Sequence, residues 1–230
     1  MIMNNRPHIY LIFLLGFVIA NYQQITESGA SPVTKSLISS NLEKSIIEFK
    51  LDGFELIDVE TENGPAKIVR IHNGSSIMEK GSPDLHKLTT SVIIPDNRKM
   101  NIKVVSSEYV EYEDITIAPS KGNLTRNVVP SEISYEWNET YSKSMFYPGK
   151  LVELQKPYIL RDKRGQTAVA YPLQYNPITK TLRVYTELVI EIYEDGLSSI
   201  NTKNRNLFRV EKGIINSEFS KIYDNHFINS

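Results

Sequence analysis

Over residues 181–195 the sequence reads TLRVYTELVIEIYED, and apolar and polar side chains alternate through most of it. Leu182, Val184, Leu188, Ile190 and Ile192 alternate with Arg183, Tyr185, Glu187 and Glu191. A period of two over so long a run fits no helix. It demands a strand with one face buried and one face in water. From Ser45 onward the same pattern recurs in shorter pieces, among them SIIEFKL, FELIDVE, AKIVRIH and KLTTSVIIP. Turn signals separate the pieces: Asp52-Gly53, Asn63-Gly64, GSPDL, DKRG and NPITK. The first two dipeptides predict tight hairpins, so a small meander is expected at the start of the domain. In NIKVVSSEYVEYEDITIAP the alternation slips near Ser106 and Ser107, which predicts a bulge or bend. QTAVAYPLQY reads as one strand. Strands joined by such short turns must pair antiparallel. The fold class is therefore all-β, a sandwich or barrel over residues 45–196. Thirteen Tyr and eight Phe suit it, because flat rings pack well on a pleated surface.

The two ends differ from this middle. MIMNNRPHIY carries Arg6 and no acid, and IYLIFLLGFVIA follows as an unbroken apolar run. That run is too short to span a bilayer comfortably. A basic start, an apolar middle and small residues at the end have the form of a secretory signal over residues 1–20, with an uncleaved anchor as the alternative. Either way, the remainder is expected outside the cytoplasm. Residues 21–44 are rich in Ser, Thr and Gln and read as a polar arm or linker. At the other end, residues 197–230 read as a linker followed by a short helix. In SEFSKIYDNHFIN, Phe219, Ile222, Tyr223 and Phe227 fall at helical spacing, and Ser217 stands at the capping position.

The chemistry-bearing residues are sparse. With no cysteine, disulfides, thiolate metal sites and a cysteine nucleophile are excluded. A net charge of −1 gives no reason to expect nucleic acid or an anionic membrane as partner. His8, His72, His86 and His226 show no helical metal-ligand spacing, and no metal or cofactor is expected. Glu111, Glu113 and Asp114 cluster on one strand and read as a solvated face. No nucleophile elbow, phosphate-binding loop or dinucleotide fingerprint is present. The triplets NGS, NLT and NET, at Asn73, Asn123 and Asn138, fit a glycosylation pattern that matters only in a eukaryotic secretory route. This composition of silences points to a binding or inhibiting protein rather than an enzyme. One segment stands out against it. Residues 117–149 keep no steady period between two clear strands, and so long an irregular stretch in a compact domain is either a working loop or a disordered one.

The middle of the chain resembles the propeptide of gingipain-type cysteine peptidases, the C25 peptidases, secreted bacterial proteases that cut after Arg or Lys. The resemblance rests on a G-x-P-x-L turn before a strand ending in IP, here Gly81, Pro83, Leu85 and Pro95. A strand then ends at Pro119 and a long loop follows. YPG is Tyr147, Pro148 and Gly149. An ILR-x-x-RG turn is Ile159, Leu160, Arg161, Arg164 and Gly165. A P-x-QYNP-x-T-K-x-L-x-V-Y hairpin runs from Pro172 through Tyr185, and an F-x-x-x-Y-x-x-x-F-x-N tail is Phe219, Tyr223, Phe227 and Asn229.

The resemblance implies an antiparallel β-sandwich with a long inhibitory-type loop and a short C-terminal helix. It implies a non-catalytic domain that assists folding of a cognate cysteine protease domain and keeps it latent, in cis or in trans. The chain would then be a truncated precursor or a free-standing inhibitor, exported by way of a bacterial periplasm. It also implies that a basic loop residue enters the protease pocket made for the substrate's Arg or Lys. Arg126, in the extended-prone NLTRNVV, is the first candidate and Lys121 the second. Arg161, Lys163 and Arg164 form a second basic site that reads as a solvated hairpin turn. Tyr135, Trp137, Tyr141 and Phe146 are expected to pin the loop to the sandwich, a partner-binding strip being the alternative. A secreted sandwich module for adhesion or glycan binding stays open as a different class of function.

Overall fold

The computed structural model describes residues 20–25, 33–203 and 217–230. Residues 1–19, which hold most of the expected export signal, lie outside the described residues. The first strands are β1 (Ala20–Gln24), β2 (Val33–Ser40), β3 (Lys44–Leu51), β4 (Gly53–Thr61) and β5 (Gly64–Arg70). Then come β6 (Ser75–Ser76), β7 (His86–Ile93), β8 (Arg98–Tyr112) and β9 (Val152–Leu154). The set closes with β10 (Tyr158–Leu160), β11 (Lys163–Ala170), β12 (Leu173–Asn176) and β13 (Thr181–Leu197). Among the described residues one α-helix, α1 (Ser217–His226), follows the strands.

Every pairing between these strands is antiparallel. One five-stranded sheet runs β10-β11-β7-β6, with β9 also on β11; the other runs β12-β13-β3-β2, with β8 on the far side of β13. Their inner faces meet in one core. Leu88, Val92, Ala168 and Ala170 come from the first sheet, and Ile47, Phe49, Leu182, Val184, Leu188 and Ile190 from the second. The expected antiparallel sandwich is the observed one. A third sheet, β1-β4-β5, adds Phe54, Leu56 and Val69 to the same core.

β13 organises the second sheet as its alternation requires. Leu182, Val184, Leu188, Ile190 and Ile192 are buried, and the wet face carries Arg183, Glu187 and Glu191 in ion pairs with Glu111, Lys50 and Lys103. The expected slip in β8 is a bulge at Val105, matched by a second on β13 at Thr186.

Three local expectations are corrected. Asn63-Gly64 does close a hairpin, with Thr61 opposite Gly64, which takes φ +101°. Asp52-Gly53 does not. There the chain leaves the second sheet and enters the third, so β3 and β4 are not partners. Gly53 serves close approach instead: a Cβ there would lie 2.1 Å from the Tyr22 hydroxyl and 2.7 Å from the Gln23 carbonyl. QTAVAYPLQY is likewise two strands in different sheets, broken at Tyr171-Pro172, where proline has no N–H to give. Finally, residues 21–44 hold strands: β1 pairs with β4, and β2 pairs with β3. β2 is polar because it is an edge strand with most of its residues in water.

Candidate functional site: the long loop and its anchors

The loop begins as an extended segment bridged on both sides. Ala118 N–H donates to Lys67 O at 2.8 Å, and on the other side Ser120 N–H donates to Ser82 O at 2.8 Å and Gly81 N–H to Ser120 O at 2.9 Å. It ends in a matching two-bond bridge between Tyr147 and Tyr175, both 2.9 Å, with Gly149 N–H donating to Gln174 Oε1 at 3.0 Å. Both ends are therefore fixed to the sandwich by backbone.

The middle is held by side chains. Asn138 N–H donates to Gly81 O at 3.0 Å, and its amide donates to Ser82 Oγ at 2.8 Å. Gly81, at φ +83°, leaves room for this, since a Cβ there would sit 3.0 Å from the Asn138 Cβ. Asn138 Oδ1 meanwhile accepts from Thr140 N–H and opens a 3₁₀ turn, Glu139–Ser142. Tyr141 reaches inward and donates its hydroxyl to Ile117 O at 2.9 Å. Burial pushes its phenol pKa well up, so it stays a donor at any ordinary pH. Trp137 meets Tyr141 edge-on, with centroids 6.4 Å apart. The Arg183 guanidinium carbon lies 4.0 Å from the centroid of the Phe146 ring and 4.4 Å from that of Tyr109. Tyr141 and Phe146 tie the loop to the sandwich as expected, whereas the Trp137 ring meets Tyr141 and the Tyr135 ring meets Lys121, both within the loop. Replacing Tyr141 with Phe is expected to cost about 1 kcal/mol, because Ile117 O loses a buried donor. Chemical denaturation with unchanged slope, together with faster tryptic cutting within the loop, would show it.

The two candidate basic residues separate clearly. Lys121 is engaged: its ammonium donates to Pro130 O at 2.8 Å and lies 4.1 Å from the centroid of the Tyr135 ring. Arg126 is exposed and makes no hydrogen bond, ion pair or ring contact among the described residues. It sits on a turn closed by Val128 N–H to Thr125 O at 3.0 Å, not in the extended stretch expected from its neighbours.

The second basic site is not the solvated turn expected. Arg161, at φ +59°, lies 3.7 Å over the Phe219 ring of α1, and Lys163 lies 5.8 Å from the Tyr223 ring. Arg164 is wholly buried. All five of its N–H groups are used: Nε to Asn201 O, Nη1 to Pro95 O and Arg98 O, Nη2 to Ser198 Oγ and Ile200 O, at 2.7–3.1 Å. Desolvation pushes its pKa down against the pull of the Asp96 charge. The acceptors are scattered over two distant segments, so no local signal in the sequence points to this knot.

Glu111, read as a solvated carboxylate, is paired with Arg183 at 2.7 Å. His86 is buried, its Nδ1 3.2 Å from Ile71 N, and burial lowers its pKa, leaving the ring neutral. Among the described residues no group of three His, Asp or Glu is placed to hold a metal ion, and no helix is long and apolar enough to cross a membrane.

The family model Propeptide_C25 matches residues 24–227. The chain belongs to the C25 propeptide family. Gingipain R2 of Porphyromonas gingivalis is 38% identical over 208 residues, which cover 90% of this chain and 27% of that protein. The chain thus spans about a quarter of the length of that relative. Among solved structures, the complex of Porphyromonas gingivalis RgpB pro- and mature domains matches with a TM-score of 0.76 at 36% identity, over 87% of this chain and 98% of that one. A structure described as giving insight into zymogenic latency of gingipain K, from the same organism, matches with a TM-score of 0.65 at 18% identity. It covers 77% of this chain and all of that one, and supports the fold alone. The chain is thus a propeptide domain rather than a peptidase domain.

Proposed function

We propose that this C25 propeptide keeps a cysteine protease domain latent by presenting Arg126 to the pocket that receives the substrate's Arg or Lys. The observation that carries the reading is a contrast. A loop fixed at both ends and again at Asn138 and Tyr141 leaves one basic side chain, Arg126, unpaired among the described residues and projecting from a turn. A loop anchored at its ends loses less entropy on binding than a free one, and a guanidinium offers a carboxylate-lined pocket two parallel charged hydrogen bonds. The sandwich supplies a fixed base, and the turn shape of residues 125–128 departs from the extended form a protease cleaves best. The partner is a gingipain-type catalytic domain, either downstream in one precursor or as a separate molecule. Export with that partner, by the signal segment and a bacterial periplasm, completes the reading. Tyr141 and Phe146 are spent on the sandwich, which weighs against an aromatic sugar-binding strip built from them.

The test is titration of the purified full chain into an Arg-cutting and a Lys-cutting gingipain-type protease. Near-stoichiometric inhibition of one of them supports the proposal. A folded chain that inhibits neither overturns it.

A further inference from the structure

The last four residues do something the helix before them does not require. β7 is paired with β11 along one edge, but along its other edge β6 pairs with it only at His86 and Lys87. Beyond that point the outward backbone groups are met one by one from elsewhere. Lys35 Nζ donates to Thr89 O at 3.1 Å. Ile228 N–H donates to Ser91 O at 2.9 Å, beside a parallel bridge between Ser91 and Phe227. The Asn229 side-chain amide then takes both groups of Ile93: its Oδ1 accepts from the N–H at 2.7 Å and its Nδ2 donates to the C=O at 3.0 Å. Asn229 thereby imitates one further residue of a strand. Its Nδ2 also lies 3.3–3.4 Å from the hydroxyls of Ser40 and Ser45.

Phe227 supplies the apolar half. It is 1% exposed and lies in a socket outside the main core cluster, against which its neighbour Ile228 packs. The floor of the socket is Gly165, where a Cβ would lie 2.5 Å from the Phe227 ring. One wall is Tyr158, stacked on Phe227 at 10° with centroids 6.3 Å apart, its hydroxyl 2.7 Å from His226 Nε2. Arg161 over Phe219, and Asp162 accepting from the Tyr223 hydroxyl, hold α1 in line.

We propose that the open edge of β7, with Gly165 and Tyr158, is a peptide-binding site that reads Phe-X-Asn, and that residues 217–230 are its resident ligand. The chemistry of the ligand is narrow. The floor admits a flat ring because Gly165 has no side chain. The Ile93 edge needs one side chain that donates and accepts at once, which an amide does and a carboxylate does not. This is strand addition at a sheet edge, with backbone bonds for affinity and one aromatic pocket for specificity. The site is independent of Arg126 and of the inhibitory reading.

The experiment uses the full chain. In the Phe227→Ala/Asn229→Asp variant the socket is emptied, and a fluorescein-labelled peptide of residues 217–230 is added while anisotropy is followed. The variant is expected to keep its sheet spectrum and cooperative melt and to bind the peptide saturably with one site. The wild-type chain is expected to bind it at least about tenfold more weakly, because its own tail competes intramolecularly. A peptide carrying Asn229→Asp is expected to lose about tenfold or more. A second measurement needs no variant: amide exchange of Ile228 and Ile93 in the wild-type chain. Exchange through a local opening, well ahead of Leu188 and Ile190, is expected of a bound ligand. A folded variant that ignores the peptide, a variant that unfolds, or tail amides that exchange only with the core would each overturn the proposal.

Discussion

Arg164→Leu is expected to be among the most destabilising single substitutions in this protein, costing on the order of 3–5 kcal/mol. Leucine fills much of the space and spares the cost of burying a charge, and where a buried ion pair is replaced whole, such a change is often harmless. Here the partners cannot be replaced. The acceptors are the main-chain carbonyls of Pro95, Arg98, Ile200 and Asn201 and the hydroxyl of Ser198, and removing the guanidinium strands all of them together. Arg164→Lys is expected to recover little, since an ammonium has three donors and no fork to span two segments. Thermal melting should fall by about 10 °C for Leu. Limited proteolysis should find the chain newly open near Ser198 and Asn201, because Arg164 holds the exit from β13 against the β7–β8 connection. A melting point within about 2 °C of wild type would show that the knot is not a stability element.

Arg126→Ala is expected to weaken inhibition of the protease by about 100-fold or more, which corresponds to losing one desolvated, charge-assisted pair. The effect should fall on dissociation, because a contact made deep in a pocket governs how long the complex lasts. Lys121→Ala serves as the comparison. Its ammonium is spent inside the loop on Pro130 O and the Tyr135 ring, so its removal is expected to weaken inhibition by less than about tenfold, by loosening the loop. Melting points for both variants should stay close to wild type. If Lys121→Ala were the more damaging change, the assignment of Arg126 to the pocket would be wrong.

The strands that carry the core were legible because burial imposes a period, and Leu182, Val184, Leu188, Ile190 and Ile192 display it openly. Edge strands obey no such rule. β2 must only hydrogen-bond on one side, so its sequence resembles a linker. Asp52-Gly53 was ambiguous for another reason: a glycine that permits a turn and a glycine that permits close contact look alike until Tyr22 is placed. Arg164 was illegible because its partners are carbonyls, and every residue has one. Within the loop, the aromatic anchors announced themselves by type. The separation of Lys121 from Arg126 did not, because it depends on where Pro130 and Tyr135 come to rest.

β7 also acts as a ruler. The loop is bonded to Gly81, Ser82 and Asp84, just before this strand begins, and the tail is bonded to Ser91 and Ile93 near its end. The seven residue steps from Asp84 to Ser91, most of them in β7, set these two grips up to about 23 Å apart. Both grips hang on the backbone of one strand, so a displacement of β7 along its own axis would disturb the loop and the tail together.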